Sequence, residues 1–217
     1  MVEGLMGLKM AVQRKEMRMK KVTLVLLAAA AVSLVGCVVT SVHPYYTDKD
    51  LVFEPALVGN WLKEAKDAQP EVWKFEKKSD LAYRFTLIEE RKATVMEAHA
   101  FKLQGQLFLD VFSLEEDIHV IPPHYLLKVD QLTPALRLSE LDNDWLKTWL
   151  AANPGAIPHC LVGAGDNSDD HRVVLTADTP ALQQFILSQL GTEGAWKGSF
   201  NLKAESPAGN SQPGGNP

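Results

Sequence analysis

Short segments in which apolar and polar residues alternate follow one another from residue 57 to residue 139, and they constrain the fold more than any other feature. Side chains of a β-strand point alternately to its two faces, so this alternation is typical of strands with one buried face. Because turns rather than helices separate these segments, they predict an antiparallel meander. The predicted strands, with three more near the carboxyl terminus, cover residues 57–61, 71–76, 83–87, 94–103, 107–112, 125–129, 135–139, 159–162, 173–176 and 196–202.

The dipeptide Gln104-Gly105 is a hairpin signal between two of these strands. If these two residues alone form the turn, the antiparallel register places His99 opposite Asp110. Such a His-Asp pair is either a functional site or a surface cross-strand pair worth under about 1 kcal/mol. A turn longer by one residue would remove the pairing.

Two helices are predicted in the second half of the chain. Residues 139–142 have the form of a capping box, and large apolar residues at helical spacing follow until residues 153–155 stop the helix. The second helix begins at Thr179-Pro180 and ends before Gly191. The chain is therefore predicted to have a mainly β, α+β fold, in which an antiparallel meander packs against two short helices.

The amino-terminal region has the pattern of an export signal. A basic cluster at residues 18–21 precedes residues 22–35, of which only two are polar. This apolar run is shorter than the roughly 20 residues of a membrane-spanning helix, but it is typical of a signal peptide. We interpret residues 1–36 as that signal. Residues 1–16 add two acidic side chains to a region that should be basic, so they are either an over-extended start or part of a long basic region.

The signal ends in Leu34-Val35-Gly36-Cys37, which resembles the lipobox of bacterial lipoproteins. The resemblance implies cleavage before Cys37, a diacylglyceryl group on its thiol, and attachment to a membrane. The next residue is Val38 rather than Asp, which implies sorting to the inner leaflet of the outer membrane, facing the periplasm, in a host with two membranes. In a host with one membrane, the anchor would lie in the external face of the plasma membrane.

Charge limits which partners the exported part can bind, and cysteine content limits which disulfides it can form. Without the first 36 residues, which carry six basic and two acidic groups, the net charge falls from −5 to −9. Such an acidic chain would be repelled by phosphate backbones, so we expect no nucleic-acid partner. If Cys37 is lipidated, Cys160 is the one remaining thiol, and no intramolecular disulfide can form.

Three regions follow the signal. Residues 37–55 read as a lipidated Cys and a tether, residues 56–203 as a single β-rich domain, and residues 204–217 as a disordered tail rich in Gly, Pro and Asn. Residues 37–61 and 107–110 resemble a group of uncharacterised bacterial lipoproteins, which brings no activity with it. Gly59-Asn60-Trp61 resembles the Gly-x-Trp entry strand of lipocalins, which implies a lipocalin-like, partly closed barrel that holds small apolar ligands.

Known catalytic and metal-binding patterns are missing from the sequence. It contains no Gly-x-Ser-x-Gly elbow and no zinc motif, and residues 163–171 fail the calcium-loop pattern. His159 cannot activate Cys160 if both lie in one strand, because neighbours point to opposite faces. We therefore predict no catalytic residue, no bound metal and no cofactor.

The function predicted from these features is non-catalytic binding of a small apolar ligand or of an envelope protein partner. The alternatives are a structural subunit of an envelope complex and, with less support, an envelope hydrolase. In the ligand-binding version, aromatic strand residues would line the concave face, although such residues are more often simply core. They are Trp61, Trp73, Tyr83, Phe85 and Phe101.

Overall fold

The computed structural model describes residues 38–63, 69–114, 121–163 and 171–205. Within these residues the chain forms twelve strands, two α-helices and two 3-10 turns, at Asp48–Asp50 and Pro55–Leu57. The strands are β1 (Thr40–Ser41), β2 (Leu51–Val52), β3 (Gly59–Lys63), β4 (Glu71–Lys77), β5 (Tyr83–Glu89), β6 (Lys92–Leu103), β7 (Gln106–Ser113), β8 (His124–Gln131), β9 (Ala135–Leu141), β10 (His159–Val162), β11 (Arg172–Leu175) and β12 (Trp196–Ala204). The helices are α1 (Asn143–Ala152) and α2 (Thr179–Gln189).

Eight antiparallel strands close into a barrel. Their order is β8-β7-β6-β5-β4-β3-β12-β9, and β9 pairs back with β8. Strand β12 makes this closure possible because it runs between β3 and β9 and pairs with both. The predicted mainly β fold, with a lipocalin-like barrel and two helices, is confirmed, and the barrel is fully rather than partly closed.

The Gln104-Gly105 hairpin forms with the predicted register. Both turn residues have positive φ, 48° at Gln104 and 88° at Gly105, as a two-residue turn that follows the twist of its strands requires. The strands then pair so that His99 lies opposite Asp110. The prediction of this cross-strand pair is confirmed.

One edge of β8 has two partners. Its carboxy-terminal half, from Leu127 to Gln131, pairs with β9, whereas its first two residues, His124 and Tyr125, pair with β1. Strand β1 continues to β11 and β10, so these three strands form a small sheet beside the barrel, which we call the side sheet. Strand β10 is the last strand of the side sheet in the described part of the chain.

Two apolar cores lie on the two sides of the barrel wall. Alternation along β7 sends Leu107, Leu109 and Val111 into the barrel interior, here called the lumen, and Phe108 outward. The outward core lies between β6–β8, the side sheet and the two helices. The lumen core consists of Leu57, Trp61, Trp73, Phe75, Tyr83, Phe85, Ala98, Ala100, Leu107, Leu109, Val111, Leu127, Val129, Leu136, Leu138 and Leu202.

Both helices begin at an Asp cap that differs from the predicted start. Asp142 accepts the backbone N–H of Trp145 at 2.7 Å in α1, while Ser139 stays in β9 because that residue pairs with β12. In α2 the cap is Asp178 rather than Thr179. Among the described residues, neither helix is long and apolar enough to cross a membrane.

Residues 42–57 form a strap over the barrel, although we expected residues 37–55 to be a tether. Tyr45 is 1% exposed, Leu57 enters the lumen core, and β2 pairs with the end of β6. The polar residues that suggested a tether bond within the strap, because the Asp50 carboxylate accepts both the backbone and side-chain groups of Thr47. A few buried anchors and local polar bonds therefore order a segment of polar composition.

The other end of the chain also differs from expectation at its first two residues. We expected disorder from residue 204, but Ala204 pairs opposite Trp61 and the Glu205 N–H donates to the Asn60 carbonyl at 2.9 Å. The remainder of the predicted tail, residues 206–217, lies outside the described residues. The predicted signal peptide and Cys37 lie outside them as well.

Candidate functional site

The aromatic residues expected to line a binding surface divide between the two sides of the barrel wall. Trp61, Trp73, Tyr83 and Phe85 meet in the lumen core, but Phe101 belongs to the outward core. Phe101 faces outward because it has the opposite parity along β6 to the lumen-facing residues. The structure thus brings four of the five together.

The lumen is filled by its own side chains. The Trp73 ring lies 5.1 Å from that of Phe85 and 4.6 Å from that of Phe200, while Phe75 stacks on Phe85 at 4.7 Å. Trp61 and Trp73 are each 5% exposed and Phe85 is 2% exposed. Walls of a ligand-sized cavity would keep area open to water, so these values indicate a packed interior around these rings.

A small open pocket lies in the barrel wall where β8, β9 and β12 meet. Its volume is about 260 Å³, below the roughly 300 Å³ at which small-molecule sites begin. The pairing of β8 with β9 and that of β9 with β12 both shift register here, so the pocket is a gap left by irregular pairing. It is lined by Asp130, Arg137, Leu138, Gly198, Phe200 and Asn201.

A buried carboxylate on the outer side of β7 is the most unusual polar feature. Asp110 is 0% exposed and is the one charged residue among the buried residues of the described part. Its Oδ2 accepts the Tyr45 backbone N–H at 2.8 Å, and its Oδ1 lies 2.7 Å from Nδ1 of His124. Because an ionised carboxylate only accepts hydrogen bonds, the His124 Nδ1–H must donate, which fixes the orientation of the ring.

His99, which faces Asp110 in the strand register, bonds to other groups. Its Nε2 lies 2.8 Å from Oε1 of Glu97, and its Nδ1 lies 3.0 Å from the Leu81 carbonyl oxygen. Both partners are acceptors, so the two hydrogen bonds form together only when the ring carries two protons. Lys78 also donates to Glu97, which leaves this carboxylate between two donors.

An aromatic stack connects these two imidazoles. The His99 ring lies 4.9 Å from Tyr46 of the strap and 5.8 Å from Phe112, and Phe112 lies 5.0 Å from His124. We call Glu97, His99, Asp110 and His124 the carboxylate–imidazole cluster. It lies between the strap and the outer face of β6–β8, so it fastens the strap to the barrel.

The two strap tyrosines stay protonated in this environment. Burial raises the pKa of Tyr45 far above its ordinary value, and the negative charge of Asp110 raises it further. Burial also raises the pKa of Tyr46, followed by the charges of Asp110, Glu97 and Asp48. Neither phenol can therefore serve as a base near neutral pH.

The cluster has part of the geometry of a general base. A buried carboxylate that orients an imidazole is how hydrolases hold a catalytic His, but a nucleophile must then reach the other ring nitrogen. Ser41 lies opposite His124 in the strand pairing, yet it is 0% exposed and its Oγ accepts the His43 N–H at 3.1 Å. The hydroxyl is thus engaged in a local turn.

The described part of the chain contains no clear metal-binding site. No group of three or more His, Cys, Asp or Glu side chains stands close enough there to hold an ion. His159 and Cys160 are adjacent on β10, where His159 Nδ1 bonds the Ile157 carbonyl at 2.9 Å and Cys160 is exposed. His119 and residues 164–170 lie outside the described residues.

Sequence reasoning missed His124 and Tyr45 as partners of Asp110. The signal that could have found them is the position of Asp110 itself, between Leu109 and Val111 in a strand that is apolar on both faces. A carboxylate in such a run must meet hydrogen-bond donors when buried. Those donors lie in the strap and in β8, 65 and 14 residues from Asp110 in the sequence.

Replacing Asp110 by Ala should destabilise the protein by about 3 kcal/mol, because the Tyr45 N–H and the His124 imidazole lose their buried acceptor. Asp110→Asn retains one acceptor oxygen and should cost less. Urea denaturation of the purified proteins measures both effects. Asp80→Ala, which removes an exposed carboxylate beside Lys77, should leave the midpoint unchanged. A stability for Asp110→Ala equal to that of wild type would contradict the role assigned to this carboxylate.

Glu97 should make stability depend on pH. Burial acts to raise its pKa, but hydrogen bonds from Lys78 and His99 outweigh burial and hold the pKa below the ordinary 4.5. A lowered pKa in the folded state stabilises the protein above about pH 4.5, and this contribution is lost as the pH falls further. Denaturation between pH 7 and pH 3 should therefore show a smaller acid loss for Glu97→Gln than for wild type. Glu76→Gln, at an exposed ion pair with Lys74, should follow the wild-type profile; identical acid losses in all three would contradict the assignment.

Comparisons with known proteins add no relative. No protein-family model, curated protein or solved structure matches this chain. The role of the barrel is therefore inferred from its own residues and their arrangement.

Proposed function

We propose that this chain is an exported bacterial lipoprotein, anchored to a membrane through Cys37, whose barrel binds an envelope protein partner without catalysis. In a host with two membranes, the anchor lies in the outer membrane and the barrel faces the periplasm. If the barrel binds its partner permanently, the protein is a structural subunit of an envelope complex. The observation that carries the binding half of the proposal is the close packing of the lumen core among the described residues, which favours binding through the outer surface of the barrel.

The position of the domain boundary supports the anchor. Of the two compact units into which the chain divides, the one that contains the barrel begins at Val38, the residue directly after the lipobox Cys37. Val38 already pairs with Asp142, and Val39 is 3% exposed. Cleavage before Cys37 would leave every described residue in the mature protein. Two or three acyl chains, at about 0.8 kcal/mol per buried CH₂, would make the attachment effectively permanent.

A small apolar ligand is the second candidate occupant. Two features favour a small apolar ligand: the apolar, aromatic wall of the lumen and the Gly-x-Trp resemblance. Binding there would require Trp73, Phe75 and Phe85 to separate, at the cost of their mutual contacts. The surface role requires no such opening, so we prefer it.

A hydrolase is the remaining alternative. Asp110 and His124 would supply the base, as described above. The engaged hydroxyl of Ser41 and the packed surroundings of the cluster argue against substrate access. We therefore assign the cluster to the attachment of the strap.

Cys37→Ala should abolish incorporation of a palmitate analogue and move the protein from the membrane fraction to the soluble fraction of the host. Cys160→Ser provides the matched control, because it removes the other cysteine of the chain and should leave both labelling and fractionation unchanged. Metabolic labelling followed by fractionation measures both properties. Label retained in Cys37→Ala would refute the anchor.

Native mass spectrometry tests the binding half of the proposal. Lipidated protein released from host membranes in mild detergent should carry a second polypeptide in a defined stoichiometry. A surplus of only a few hundred daltons would instead indicate a ligand in the lumen and favour the second candidate. Recovery of the bare lipidated monomer alone would contradict both versions of binding.

A further inference from the structure

The pocket where β8, β9 and β12 meet presents polar side chains on the outer face of the barrel. Arg137 lies between Leu136 and Leu138, which both belong to the lumen core, so the Arg137 side chain points outward. Asn201 pairs directly opposite Arg137 and also points outward, because its neighbour Leu202 belongs to the lumen core. The pocket therefore offers a guanidinium and an amide side by side.

The pocket has room for a ligand because β12 is irregular there and carries a glycine. The pairing of β12 with β9 shifts register between Gly198 and Phe200, and such bulges commonly re-aim side chains beside binding sites. A methyl group at Gly198 would meet nothing closer than the Ser139 Oγ, at 3.9 Å. The pocket volume of about 260 Å³ exceeds that of the roughly 150 Å³ cavity that holds a benzene molecule, so a short organic acid fits.

The carboxylate of Asp130 lines the same pocket but does not neutralise Arg137. Its Oδ1 lies 3.1 Å from Nζ of Lys128, and its Oδ2 accepts the Ser139 hydroxyl. In the part of the chain that the structure describes, neither Arg137 nor Asn201 has a side-chain hydrogen bond or an ion pair. Without its first 36 residues the chain has a net charge of −9, so a cation left without a counter-ion in a concave site is unexpected.

We propose that this pocket binds a small organic acid through a single carboxylate, which Arg137 and Asn201 hold. A guanidinium matches a carboxylate with two parallel N–H···O bonds, and the Asn201 amide can donate a further one. One guanidinium balances one negative charge, and the neighbouring Asp130 carboxylate repels a second. A monocarboxylate is therefore favoured over a phosphate dianion. The inference goes beyond the proposed function, because it requires neither the lipid anchor nor a protein partner.

An NMR titration of the isotope-labelled protein, purified from its host, tests this site with butyrate as the probe. At constant ionic strength, the Arg137 Nε–H and Asn201 Nδ2–H signals should shift and saturate at concentrations on the order of millimolar. Butyramide replaces the carboxylate by a neutral amide of the same shape and should leave both signals in place. The Nε–H signal of Arg84, which is exposed on β5 three strands from β12, should not move with either probe.

Two substitutions separate the charge of the site from its space. Arg137→Gln keeps an exposed polar side chain and should weaken butyrate binding about tenfold or more, because the charged donor is lost. Gly198→Leu keeps Arg137 but fills the pocket, so it should abolish the saturable shift. Arg84→Gln is the matched control, since it removes another exposed arginine of the barrel wall and should leave the affinity unchanged. The backbone amide spectrum of each variant checks that the fold is retained.

Other results would overturn the proposal. Equal shifts with butyrate and butyramide would show that the site does not select a charged group. Tighter binding of inorganic phosphate than of butyrate would show that Arg137 serves a different anion. Butyrate binding retained in Arg137→Gln or in Gly198→Leu would place the probe elsewhere on the surface. The anchor and the protein partner of the proposed function would stand in each of these cases.

Discussion

The architecture depends on how strand β8 shares one of its edges. Its second half closes the barrel by pairing with β9, and its first two residues hold β1. Each backbone N–H and C=O on a strand edge can bond to one neighbouring strand, so each partner must stop where the other begins. This division places Val38 beside the start of α1 and makes Thr40–Ser41 part of the sheet. The side sheet, the helices over it and the position of Val38 all follow from it.

The buried carboxylate of Asp110 makes that arrangement specific. Ordering a strap of sixteen residues costs roughly 1–2 kcal/mol of backbone entropy per residue, which the packing of its apolar residues against both cores helps to offset. Asp110 adds a charged acceptor for Tyr45 of the strap and for His124 of β8, so one side chain joins the strap, β7 and β8. If the strap lay elsewhere, Asp110 and its donors would stay buried without partners. Such alternative positions of the strap are therefore disfavoured.

Local patterns in the sequence were sufficient to predict most strands, the Gln104-Gly105 hairpin and both helices, because alternation, turn residues and caps act over a few positions. The expectation that residues 37–55 form a tether was wrong, because composition does not show that Tyr45 and Leu57 are buried against residues far away in the sequence. The division of the aromatic residues follows from strand parity, because Phe101 is an odd number of positions away from the lumen-facing Ala98 and Ala100 of β6. Full closure of the barrel and the partners of Asp110 depend on contacts between distant segments, for which one sequence carries no direct signal.

The central claim is that the residues from Val38 onward belong to the fold, so that the lipid we propose on Cys37 would hold the barrel without a linker. Hydrogen exchange of backbone amides tests it most directly. The Tyr45 N–H is bound by Asp110 and the Val42 N–H donates to the Leu175 carbonyl at 3.0 Å, so we expect both amides to exchange as slowly as those of the barrel strands. Exchange of residues 42–57 at the rate of an open chain would contradict the account and restore the tether.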